Sequence, residues 1–171
     1  MKGCNYIGSL RLKRYQYSHE GAYFITICLK PRLPLFGHVW SGSLYLSPIG
    51  AIAYYEWRKT FDLRKNISID EFIIMPDHMH GIVWIGEPQR DYIHNPFAII
   101  RQNPDYRESF GPHNSILANI IKGYKGAVTR SVRKNVDPQF SWQRGYYERI
   151  IKTEVDLHNV RRYIRQNPTN W

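Results

Sequence analysis

Cysteine is scarce in this chain: Cys4 and Cys28 are its two thiols in 171 residues. Two thiols make no disulfide framework, and neither has a second Cys at zinc-knuckle spacing, so a reducing compartment is expected. Long hydrophobic runs are lacking as well. No stretch approaches membrane-spanning length, and the opening MKGCNYIGSLRLKRYQYSHE holds no apolar run resembling a signal peptide. A cytoplasmic protein with no membrane role beyond a peripheral one is the expectation. Internal repeats and low-complexity tracts are missing too. Acidic residues are few: 14 Asp and Glu stand against 24 Lys and Arg, for a net charge of +10. That balance points to a polyanionic partner, with nucleic acid ahead of an anionic membrane surface. Hydrophobic residues at 43% and aromatics at 15% exclude a disordered basic tail. A chain of this length closes most simply as one domain, residues 1–171.

The charge is unevenly spread. Residues 1–40 hold six basic residues and one acidic, 41–111 hold seven and nine, and 112–171 hold eleven and four. The positive charge is therefore terminal. If folding brings the two ends together they can line one groove over a near-neutral middle; solvated basic faces are the alternative.

Hydrophobic patterning supplies the elements. Ala22–Leu29 is a β-branched and aromatic run read as a central strand. Ser47-Pro48 opens a helix over roughly 48–64, with Ile49, Ile52, Ala53, Trp57 and Phe61 near helical spacing. Residues 67–75 and 78–85 read as two strands around the Pro76-Asp77 turn. Residues 86–113, with four prolines, read as a long loop insertion, functional or decorative. Asn114 or Ser115 can cap a helix whose apolar face is Ile116, Leu117, Ile120, Ile121, Tyr124 and Val128. Residues 140–151 look strand-like, and Thr153 with Asp156 makes an approximate capping box for a last helix to about Gln166. The order β, α, β, β, α, β, α predicts an α+β fold: a ferredoxin-like split βαβ antiparallel sheet plus one extra C-terminal helix, with a basic segment over 1–20.

Within that frame His78-Met79-His80 begins a strand, so both imidazoles share one face and can reach one metal. With seven histidines in the chain, an H-x-H pair also arises easily by chance, and two hydrogen-bonded sheet histidines are the plainer reading. In the last helix Asn159, Tyr163 and Asn167 recur every four residues beside the apolar face of Leu157, Val160 and Ile164. By position alone Asn167 is equally a helix-ending residue before Pro168. Tyr146 and Tyr147 are rival nucleophiles; on a strand they face opposite ways, and core or base-stacking roles suit them and Trp142 better. Phosphate contacts are expected from Arg11, Lys13 and Arg14, interleaved near Tyr15 and Tyr17, and from Lys122, Lys125, Arg130, Arg144 and Arg149, each weighed against simple solvent exposure.

MPDHMHGIV, the YKG of the amphipathic helix, WQRGYYERII and RRYIRQNP, in that order, resemble the single-tyrosine HUH transposases, and most closely the REP-associated tyrosine transposases. The likeness runs from about Tyr23 to the C-terminus. It implies that His78 and His80 bind a divalent metal, Mg²⁺ or Mn²⁺, that Asn167 is the third ligand, and that Tyr163 is the nucleophile. It also implies a single-stranded DNA partner with a hairpin, a short palindromic repeat with a guide sequence at its foot. The enzyme would be a monomer or a homodimer, nucleoid-associated when on DNA. Competing readings are a noncatalytic ferredoxin-like nucleic-acid-binding module and a small metal-dependent hydrolase of soluble phosphoesters.

Overall fold

The computed structural model describes residues 20–86 and 116–171. The basic N-terminal segment, the 86–113 insertion beyond Gly86, and the candidate caps Asn114 and Ser115 lie outside the described residues.

Strand β1 (Gly21–Cys28) is buried from Ala22 onward, because it has a neighbour on each edge and a helical layer on each face. The sheet also contains β4 (Ile67–Met75), β5 (His78–Ile85) and β6 (Tyr147–Ile151), in the order β4-β5-β1-β6, with every neighbouring pair antiparallel. Helices α1 (Pro48–Asp62), α2 (Ile116–Asn135) and α3 (Glu154–Gln166) complete the split βαβ arrangement and its extra helix.

The two-residue period of the strands decides what each face meets. Tyr23, Ile25, Ile27, Met79 and Val83 pack beneath Trp57 and Phe61 of α1 and Leu117, Ile121, Tyr124 and Val128 of α2. The alternate residues Ala22, Phe24, Ile82 and Ile151 meet Leu157, Val160 and Ile164 of α3. His78 and His80 therefore face α3, and Met79 faces the other core.

Two features differ from the sequence expectation. Of the expected strand over 140–151 only Tyr147–Ile151 forms; Gly145 takes a left-handed φ of 75°, and the segment before it folds as a loop that bridges through Trp142 to Leu29, the residue after β1. The second feature is an additional hairpin, β2 (Gly37–Trp40) and β3 (Ser43–Leu46), which patterning does not predict because four-residue strands carry too little of it. Its turn, Ser41-Gly42, has positive φ at both positions, 50° and 73°, as tight hairpin turns require.

That hairpin is locked to α1. Ser47 caps the helix, accepting from the Gly50 N–H at 3.1 Å while donating to the Leu35 carbonyl at 2.5 Å. Gly50 lies so close to Phe36 that an added Cβ would stand 2.0 Å from its carbonyl oxygen. Alanine is the better helix former by about 1 kcal/mol, but this overlap decides the sign. Gly50→Ala is expected to lower stability by about 2 kcal/mol or more in urea unfolding.

Candidate active site

His78 and His80 converge: their Nε2 atoms lie 3.1 Å apart and their ring centroids 4.6 Å apart. Each ring is held by its other nitrogen. His78 Nδ1 lies 2.6 Å from Asp77 Oδ1, and Asp77 Oδ2 accepts from Arg32 Nε at 2.6 Å. A carboxylate only accepts, so Nδ1 of His78 carries a proton, and Nε2 is the atom it turns toward His80. Burial alone would raise the Asp77 carboxyl, but hydrogen bonds from His78 and Arg32 outweigh it and hold it below the usual range. His80 Nδ1 lies 2.8 Å from Oγ1 of Thr26, its partner across the β1–β5 ladder. A hydroxyl both donates and accepts, so it serves a His80 that offers Nε2 as N–H to His78 or as a lone pair to a cation. Burial first, and then the neighbouring His78 and Arg32, push the His80 pKa down to about 3, so the ring is neutral.

Tyr163 completes the cluster from α3. Its hydroxyl lies 3.2 Å from His80 Nε2, and its ring meets Phe24 edge-on at 6.0 Å. The residue is 50% exposed, so the tyrosine side chain borders solvent. Asn167, one turn later at the end of α3, is buried. In sequence it lies midway between Tyr163 and Trp171, and the Trp171 ring lies 5.7 Å from that of His78.

Two devices fix the helix that carries the tyrosine. Thr153 caps it, accepting from the Asp156 N–H at 3.1 Å. The second is a bulge in β4, where the register breaks between Ile69 and Phe72. On a regular strand Asp70 and Glu71 would point to opposite faces; here both reach α3, and both hold arginines one helical turn apart. Arg161 Nε donates to Asp70 at 2.8 Å, with Nη2 adding a second bond, and Arg165 Nε donates to Glu71 at 2.9 Å. Trp84 Nε1 also donates to Asp70, at 3.2 Å. Burial would raise the Asp70 carboxyl, but the bonds from Arg161 and Trp84 prevail and lower it.

The histidine pair fits a cation in spacing. Neighbouring ligands at right angles around an ion with bonds of about 2.1 Å are separated by about 3.0 Å. Among the described residues no group of three or more His, Cys, Asp and Glu could hold a metal ion. Among the described residues a third donor would be of another kind, and the Asn167 amide oxygen is of a suitable chemistry.

The expected phosphate contacts separate. Lys122 and Arg130 are exposed on α2, across the sheet from the histidines, so they do not flank the same groove. Lys125 is engaged internally: its ammonium donates to the carbonyls of Gln143 at 2.8 Å and Gly145 at 3.0 Å beside the Trp142 ring, and burial pushes its pKa down to about 8. Arg149 is paired with Asp156 at 2.8 and 2.9 Å. Arg144 is exposed and lines a small cleft with Thr26 and Tyr147, on the histidine side. Arg11, Lys13 and Arg14 lie outside the described residues. Tyr146 and Tyr147 pack toward opposite cores, as alternation requires. Sequence reasoning missed Thr26, Asp77 and the Asp70–Arg161 pair. Thr26, a polar residue inside an apolar run, and Asp77, directly before the histidines, left some signal; the bulge left none.

A tyrosine helix laid across a histidine-bearing antiparallel sheet is the arrangement expected of the single-tyrosine HUH transposases that the motifs resemble. A structure of a REP-associated tyrosine transposase bound to a REP hairpin shares the fold, with a TM-score of 0.59 at 18% identity, covering 91% of this chain and 72% of that one. No family model matches the chain. An uncharacterized protein of Haemophilus influenzae is 36% identical over 170 residues, which is 99% of this chain and 92% of that protein. The chain belongs to one family with that protein. Among the described residues no helix is long and apolar enough to cross a membrane.

Proposed function

We propose that this protein is a REP-associated tyrosine transposase, a metal-dependent enzyme that recognises a DNA hairpin and cuts and rejoins single-stranded DNA through Tyr163. The observation that carries this reading is the placement of the Tyr163 hydroxyl 3.2 Å from His80 Nε2, with His78 Nε2 converging on the same point. A phenol with a reference pKa of about 10 is a weak nucleophile at neutral pH, so its reactivity depends heavily on its position. Its oxygen attacks the phosphorus of a phosphodiester as the bond from phosphorus to the 3′ oxygen breaks. The phenolic proton is lost, the departing 3′ oxygen gains one, and a 5′-phosphotyrosine remains. A 3′-hydroxyl of another strand reverses the step, so the bond energy is retained without ATP. Held by His78, His80 and Asn167, Mg²⁺ or Mn²⁺ would supply charge neutralisation at the phosphate and stabilise the departing oxygen.

Tyr163 meets His80 of its own chain, which supports a site complete within one monomer. The setting this implies is cytoplasmic, at the nucleoid when DNA is bound.

The test is covalent capture. Protein incubated with hairpin-bearing single-stranded DNA and Mn²⁺ is expected to form a denaturant-stable adduct that a chelator prevents. Trypsin should leave the nucleotide on the tripeptide Tyr163–Arg165, released by cleavage after Arg162 and Arg165. Attachment at Tyr146 or Tyr147 overturns the assignment, and binding without any adduct favours the noncatalytic module.

A further inference from the structure

A second basic feature lies on the helical layer, on the side of the sheet away from Tyr163. Between α1 and α2 runs an outward-facing groove of about 450 Å³. Lys59 lines it from α1, Arg64 from the turn just after α1, and Arg130 and Lys134 from α2; Glu56 is the one carboxylate in its lining. All four cations are exposed, and among the described residues none forms an ion pair. On the other side of the sheet, by contrast, Arg149, Arg161 and Arg165 are each neutralised by a carboxylate. The groove gathers four unpaired cations on two facing walls, whereas Arg144 and Arg162, the exposed unpaired arginines on the tyrosine side, stand apart from each other.

Its shape suits an extended anion. Gly123 opens the floor in the middle of a 20-residue helix, where glycine costs about 1 kcal/mol relative to alanine. An added Cβ there would come within 3.3 Å of Arg64 Nη2, so the glycine lets that guanidinium lie against α2. Arg64 is steadied by donating Nη1 to the Thr60 carbonyl at 2.7 Å, and as a residue it is exposed. Two guanidiniums and two ammoniums on facing walls provide forked and point-charge contacts to successive phosphates.

We infer that this groove binds the phosphate backbone of a DNA segment outside the one being cut, so that DNA reaches round to the face opposite the catalytic tyrosine. The inference rests on the proposed DNA-processing function. Such contacts release counterions and strengthen binding without reading sequence.

The experiment is fluorescence anisotropy across a NaCl series, with a labelled DNA hairpin that carries single-stranded flanks. In Arg130→Glu/Lys134→Glu the slope of log K against log salt should fall by about 2, at about 0.9 for each phosphate no longer neutralised, and low-salt affinity by about tenfold or more. Covalent capture at saturating DNA should be retained, because neither residue is near Tyr163. The Arg130→Gln/Lys134→Gln pair removes the charge while keeping a polar side chain and helix propensity, and should lower the slope similarly if charge reversal unfolds the protein. An unchanged slope and affinity in a folded variant overturn the groove even where the adduct forms normally. A reduced slope in a protein that never forms an adduct leaves the groove standing and removes the strand-transfer reading instead.

Discussion

Replacing Tyr163 with phenylalanine is expected to reduce covalent capture of DNA to background while leaving hairpin affinity within about twofold and stability within about 0.5 kcal/mol. The change removes one oxygen. The ring, with its edge-on contact to Phe24 and its approach to His80, stays in place on a helix held by residues elsewhere. The deleted hydroxyl belongs to a half-exposed side chain, and the buried His80 Nε2 that loses it still faces His78 Nε2 at 3.1 Å. His80 keeps the Thr26 contact that orients it. Gel assays under denaturing conditions, with hairpin affinity measured in parallel, separate loss of the nucleophile from loss of binding. Tyr147→Phe, on the strand beside Phe24, should retain capture. An adduct that survives Tyr163→Phe would end the assignment.

The parts of this site that are legible in the sequence are those set by local periodicity. The alternation in MPDHMHGIV places both histidines on one face wherever the strand pairs, and β4 and β5 form over residues 67–75 and 78–85 as read. Thr153 and Asp156 announce the start of the tyrosine helix because a capping bond spans three residues. What the sequence hides is non-local. Periodicity in α2 marks Lys125 as lying off the apolar face, but not that the loop before β6 folds back to offer it two carbonyls. The split of charge between the chain ends suggests one groove, whereas the sheet separates the α2 cations from the histidines. The β4 bulge is a register break between two strands, so the β4 sequence alone cannot show it.

That bulge carries the second large effect. Asp70→Ala is expected to slow covalent capture by about 10²-fold at saturating DNA and to lower stability by about 1–3 kcal/mol. Asp70 accepts from both Arg161 and Trp84, and it is mostly buried, with a side chain 12% exposed. Removing it strands an indole N–H and a guanidinium together, a larger penalty than an exposed pair such as Arg165–Glu71 incurs. The consequence for chemistry follows from geometry. Arg161 lies two residues before Tyr163, and its carboxylate partner is the tie that anchors this turn of α3 to β4. A loosened turn lets the phenol leave its place 3.2 Å from His80, and small displacements of a nucleophile are costly in rate. Asp70→Asn keeps the shape and one acceptor oxygen, so it should fall between wild type and Asp70→Ala in both rate and stability. Hairpin affinity should stay within about twofold in both variants, because the Asp70 tie positions the nucleophile and does not hold DNA. If Asp70→Ala loses stability but captures DNA at the wild-type rate, the clamp is structural only and the positioning role is wrong.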